Sequence, residues 1–129
     1  MCNKGEKMNP LMVFIGGGLG ALTRYCLYLV LPKNAFFPAC TLTANFFGCL
    51  IATIVFSFFV YKAETPSIYK LLLITGFCGG LSTLSALSIE VLVYIQNSDY
   101  LRALLYILTS LLICTSSVIL GLFLVKKYV

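Results

Sequence analysis

The chain has no histidine, no tryptophan and only four acidic residues among its 129 positions. Without histidine it lacks the usual proton shuttle and the commonest metal ligand. With so few carboxylates there is no acid–base pair. No nucleophile–base arrangement, metal-ligand cluster or lysine-bearing phosphate loop takes its place, so the chain reads as a non-enzyme. Charged residues make up 10% of the sequence, against about 25% in an ordinary soluble domain. The cysteines at 2, 26, 40, 49, 78 and 114 include no CxxC pair. They read as small buried hydrophobes, not as a disulfide or zinc framework. Gly16, Gly18 and Ala21 match GxGxxA, but no strand precedes them, which excludes a dinucleotide site.

In place of charge the chain has long apolar segments. Apolar residues account for 60% of the sequence, and the mean hydropathy is +1.02. Residues 8–32 carry one charge, Arg24; 34–61 carry none; 71–98 carry only Glu90; and 103–125 carry none. Each exceeds the roughly 20 residues a membrane helix needs. Expected spans are about 11–31, 39–61, 71–95 and 101–125, with a loop at Lys62–Ser67 and a capped turn at Asn97-Ser98-Asp99. The first is read as a span, not as a cleaved leader, because further spans follow it. Residues 1–129 thus form one all-α, four-helix membrane domain. Lys4, Lys7, Lys62, Lys70, Lys126 and Lys127 share one side, opposite Lys33 and Arg102. That bias places both termini in the cytoplasm. The net charge of +5 then meets anionic membrane lipid, not nucleic acid.

The third segment is long for one span: 28 residues at about 1.5 Å each give roughly 42 Å, against a roughly 30 Å hydrocarbon core. It holds Gly76-Phe77-Cys78-Gly79-Gly80-Leu81-Ser82-Thr83-Leu84-Ser85, poor helix material at bilayer depth. A break at Gly79-Gly80 is expected, marking an ion site or a tight helix contact. Arg24, costly inside a span, either snorkels or supplies a fixed positive charge to an anion vestibule. Gly16, Gly20 and Arg24 share one face, as do Thr41, Asn45 and Gly48. Asn45 offers uncharged N–H donors, either as interhelical glue or to a passing anion. Thr83 and Ser85 add hydroxyls, and Tyr106, Ser110 and Cys114 form a polar stripe on the last span. Glu90 is expected to reach interfacial water. Donors plus one cation, without acceptor carboxylates along the path, favour an anion route over a cation route.

The segment Gly76–Thr83, the Thr41-x-x-x-Asn45-x-x-Gly48 pattern and the glycine-rich run from Gly16 to Arg24 with Tyr25 together resemble the Fluc (CrcB-type) fluoride channels. These are small four-span proteins of bacterial cell membranes, and the resemblance covers nearly the whole chain in order. It implies an antiparallel dual-topology dimer whose broken third helices cross at the centre. A structural Na+ would be held there by the carbonyls of Gly79 and Ser82 of each subunit. It also implies passive export of cytoplasmic fluoride along a pathway involving Arg24, Thr41, Asn45, Thr83, Ser85, Tyr106 and Ser110. Fluoride suits such a route: it is small and strongly hydrated, so closely spaced donors must replace its water. Cys114 departs from the family's usual hydroxyl, and Leu84 and Leu87 stand where phenylalanines are usual. Aliphatic side chains lack the positive ring edge an anion can use. Together with the charge bias, this points to one fixed-orientation half of a heterodimer with a paralogous subunit, the homodimer being the other possibility. The alternatives are a non-conducting structural partner and a small drug exporter; the exporter expects a glutamate in the first span, and none is present.

Overall fold

The computed structural model describes residues 10–32, 36–61 and 67–128. The expected loop after Lys62, and the charges at Lys4, Lys7, Lys33 and Lys62, lie outside the described residues. Helix α1 spans Pro10–Val30 and α2 spans Ala39–Tyr61. Helix α3 runs through residues 67–81 as a turn of α-helix, Ser67–Lys70, a π-helical stretch, Leu71–Cys78, and a last turn, Gly79–Leu81. Helix α4 is Leu84–Gln96 and α5 is Tyr100–Tyr128. Four stretches, with α3 and α4 together forming the third, are long and apolar enough to cross a membrane. Leucine and phenylalanine side chains are exposed along every one of them, for example Phe14, Phe56, Leu92 and Leu112. In water that surface would be untenable; in lipid it is the expected exterior. The chain is a multi-pass membrane protein.

Without a hydrophobic drive between helices in lipid, close packing has to hold them together. Helices α1 and α3 achieve it through glycine. Gly16 and Gly20 are buried, and a Cβ on either would collide with the backbone carbonyl of Leu72 or Phe77. On α3, a Cβ on Gly76 would lie 2.9 Å from the Gly16 Cα, and one on Gly80 would strike the Gly17 carbonyl. The two backbones are therefore in direct contact. Helix α2 packs chiefly on α5, where a Cβ on Gly121 would come within 3.0 Å of the Thr53 Cβ.

The third span leaves helical geometry at Ser82 (φ −73°, ψ 149°) and Thr83 (φ −152°, ψ 118°). The expected position, Gly79-Gly80, is instead helical, with Gly79 at φ −65° and ψ −34°. Gly80 is needed for the approach of α1, since a Cβ there would strike the Gly17 carbonyl, whereas Gly79 has only the Ile74 carbonyl nearby. The chain turns aside two residues later, where neighbouring side chains can take over the backbone bonds.

The turn after α4 follows the expectation. Ser98 adopts a left-handed φ of 59°, and the Asp99 carboxylate caps α5 by accepting from Arg102 N at 3.2 Å. The Arg102 guanidinium pairs with Asp99 at 3.2 Å and lies 4.8 Å from the Phe36 ring centre.

The glycine contact makes a position-specific prediction. Gly20→Val has no room between two backbones and should cost more than about 3 kcal/mol, seen as loss of a monodisperse species in detergent. Gly18, with nothing within 4 Å of a built Cβ, should accept alanine with a gain of up to about 1 kcal/mol from helix propensity, read as a raised melting temperature.

Candidate functional site

The site grows from the interruption at Ser82-Thr83. In an unbroken helix the Thr83 N–H would bond the carbonyl of Gly79, and the Ala86 N–H that of Ser82. Both donors are diverted. Thr83 N donates to Asn45 Oδ1 at 2.7 Å, and Ala86 N donates to the Thr83 hydroxyl at 3.2 Å. Asn45 Nδ2 returns a longer bond to the Thr83 carbonyl at 3.4 Å. The Asn45 amide thus replaces a lost turn of helix, satisfying buried groups that would otherwise be orphaned. The Ser82 hydroxyl closes the preceding turn on the Cys78 carbonyl at 2.9 Å. The interruption takes the helical donors away from four successive carbonyls, those of Gly79, Gly80, Leu81 and Ser82.

From Asn45 a polar seam extends between α2 and α5. Thr41, Asn45, Tyr106 and Ser110 are all buried. At one end, Thr41 Oγ1 donates to Glu90 Oε1 at 2.7 Å, and the Tyr106 hydroxyl donates to Glu90 Oε2 at 2.6 Å. Glu90, expected to reach interfacial water, is instead held by two hydroxyls from two helices. The physical reason is proximity: Glu90, about one and two-thirds turns into α4, lies within reach of Thr41 and Tyr106, and charge-assisted bonds are the strong ones. A signal for this was present in the sequence. A single carboxylate in an otherwise uncharged span is by default a functional candidate, and Thr41 and Tyr106 were donors in search of an acceptor.

The remaining residues divide by position. Arg24, Tyr25, Thr41 and Glu90 line one cavity of about 340 Å3, so the arginine and the carboxylate face a shared space. Ser110 donates to the Tyr106 carbonyl at 2.8 Å, the bond to the preceding turn that is common for hydroxyls in membrane helices. Ser85 is exposed and contacts the Thr83 hydroxyl at 3.0 Å. Leu84 is 77% exposed and Leu87 8%, so only Leu87 packs within its own subunit. Among the described residues no group of three His, Cys, Asp or Glu could hold a metal ion.

A family model described as CrcB-like protein, Camphor Resistance (CrcB), matches residues 11–122. The chain belongs to the CrcB family. The match takes in every residue of the seam and of the interruption. A relative from Pyrococcus abyssi is 36% identical over 117 residues, 91% of this chain and 95% of that protein. Another from Gloeothece citriformis is 39% identical over 121 residues, 91% and 96% of the two chains. One from Escherichia coli K12 (MC4100, BW2952) is 41% identical over 103 residues, 79% and 81%. Each carries the name fluoride-specific ion channel FluC. These CrcB-family relatives are named as channels; in the present chain two of the expected pathway donors, Thr41 and Tyr106, are taken up by the Glu90 carboxylate, which corrects the expectation of donors without an acceptor carboxylate.

Two substitutions test the bonding. Asn45→Ala leaves the buried Thr83 N–H without its acceptor and should cost about 1–3 kcal/mol, measured by thermal unfolding in detergent. Tyr106→Phe removes a bond to a charged group and should cost about 1.5–3 kcal/mol in the same assay.

Proposed function

We propose that the chain is a subunit of a fluoride-selective passive channel that lets cytoplasmic fluoride run down its gradient out of the cell. The observation that supports this best is the Thr41–Glu90–Tyr106 arrangement. Two donors from different helices converge on one anionic oxygen pair at bilayer depth, beside a cavity that Arg24 also lines. An anion entering from the Arg24 side meets donors already aimed inward, and displacing the carboxylate hands those donors over without reorganising the backbone. Asn45 follows one turn later: one Nδ2 hydrogen serves Thr83, and the second is free to meet the ion. Ser110 joins by rotating its hydroxyl off the Tyr106 carbonyl. Uncharged donors hold the ion weakly enough for it to leave.

Na+ fits the interruption on chemical grounds. The Gly79 and Ser82 carbonyls have lost their helical donors, and oxygen ligands suit a hard cation. These carbonyls, with their counterparts in a second subunit, would hold the ion. It would supply positive charge to otherwise unpaired oxygens and fix the crossing of two antiparallel copies.

The partner is a paralogous subunit in a heterodimer. Leu84 projects away from its own subunit, toward where a partner would lie, and brings no ring edge to the ion path. The six-to-two lysine and arginine bias suits a chain that inserts one way only. The lack of ring edges at Leu84 and Leu87 also favours a second reading, a structural subunit that holds its partner open without conducting.

Liposomes containing this chain together with its paralogue should release fluoride, read with a fluoride electrode, and retain chloride. The chain alone should release little. Rapid efflux from the chain alone would replace the heterodimer with a homodimer, and equal chloride release would remove the selectivity.

A further inference from the structure

The lysine-rich end of the bundle carries a groove that the fluoride reading does not use. Helix α2 ends there, α3 begins there, and α5 ends there with Lys126 and Lys127. Ile54, Val55, Phe58 and Phe59 of α2, with Tyr69 and Leu73 of α3, line a groove of about 340 Å3. Every one of these side chains is apolar or aromatic, and Phe58 and Tyr69 are exposed. The wall runs from hydrocarbon depth at Ile54 and Leu73 to the interface at Tyr69. There the ammonium of the next residue, Lys70, lies 5.8 Å from the centre of the Phe59 ring, within the range of a cation–π contact. Among the described residues the carboxylates are Glu90 and Asp99, both toward the opposite end of the bundle. Glu90 is bonded to Thr41 and Tyr106, and Asp99 to Arg102. Neither serves Lys70.

We propose that this groove binds an anionic phospholipid, with an acyl chain along the α2–α3 wall and the headgroup at Lys70. Three features select that occupant. The apolar wall accepts hydrocarbon without stripping water from any polar side chain. Lys70 adds a positive charge at headgroup level, where lysine attracts anionic lipid. The exposed Tyr69 beside it is of the type that lines the membrane–water interface. A zwitterionic lipid carries the same phosphate, but its choline ammonium is repelled by Lys70, so the net charge of the headgroup decides. The inference stands apart from the fluoride reading, because it concerns the outer wall of α2 and α3 and not the seam between α2 and α5.

The test exploits the lack of tryptophan in the chain. Phe58→Trp puts one fluorescent reporter in the groove, and Phe14→Trp puts one on α1, where the side chain is 78% exposed. Each full chain is reconstituted in phosphatidylcholine vesicles containing either phosphatidylglycerol or phosphatidylcholine brominated on the acyl chains, at matched mole fractions. The expected result is that brominated phosphatidylglycerol binds at the groove reporter about fivefold more tightly than brominated phosphatidylcholine, while both quench the α1 reporter alike. Lys70→Gln, added to Phe58→Trp, should bring the groove preference down to about one, and Lys70→Arg should keep it. An unchanged size-exclusion profile for Lys70→Gln shows that the assembly is intact. The proposal is overturned if the groove reporter shows no preference, or if the preference survives Lys70→Gln. It is equally overturned if the α1 reporter shows the same preference, which makes it a property of the whole basic surface. Quenching of the groove reporter by neither lipid, the result expected where a second subunit covers the groove, overturns it too.

Discussion

The bond from the Thr83 N–H to Asn45 Oδ1 is the contact on which the rest of the site depends. A helix cannot leave its own ladder inside a membrane unless another group takes over the backbone donors. Asn45 does so from α2, and the Thr83 hydroxyl does so for Ala86. The interruption in turn sets the rotation of α4, which brings Glu90 to Thr41 and Tyr106. It also withdraws the helical donors from Gly79 and Ser82. One amide therefore couples the end of α3, the start of α4 and the polar seam.

Around this centre two kinds of packing divide the work. Helix α1 meets α3 backbone to backbone, through glycines whose replacement has nowhere to go. That contact is dry and contains no chemistry; it holds the third span in place up to the interruption. Helices α2 and α5 bury hydroxyls and an amide, at Thr41, Asn45, Tyr106 and Ser110. The apolar exterior and the polar seam follow from the same rule, that polar groups at bilayer depth must face one another.

Much of this was legible in the sequence because it follows from composition and spacing. Four apolar stretches separated by charges and turn residues read directly as spans, and Asn97-Ser98-Asp99 read as the turn it is. Thr41, Asn45, Tyr106 and Ser110 were marked as one set by four-residue spacing on two helices. What stayed hidden depended on tertiary partners. Gly79 and Gly80 looked like the weak point because helix propensity penalises glycine, yet both are helical and Gly80 packs directly on α1. Ser82 and Thr83 gave way instead because Asn45, 38 residues earlier, was there to receive the freed N–H. Glu90 looked like a snorkelling residue because no spacing rule connects α4 to Thr41 and Tyr106.

We propose that the Asn45 amide both holds the interruption and serves an anion route. The most direct measurement is fluoride efflux from liposomes in which Asn45→Ala replaces the wild-type chain in an assembly shown by size-exclusion chromatography to be intact. Release no faster than from protein-free liposomes is expected. Release at the wild-type rate from an intact assembly would contradict it.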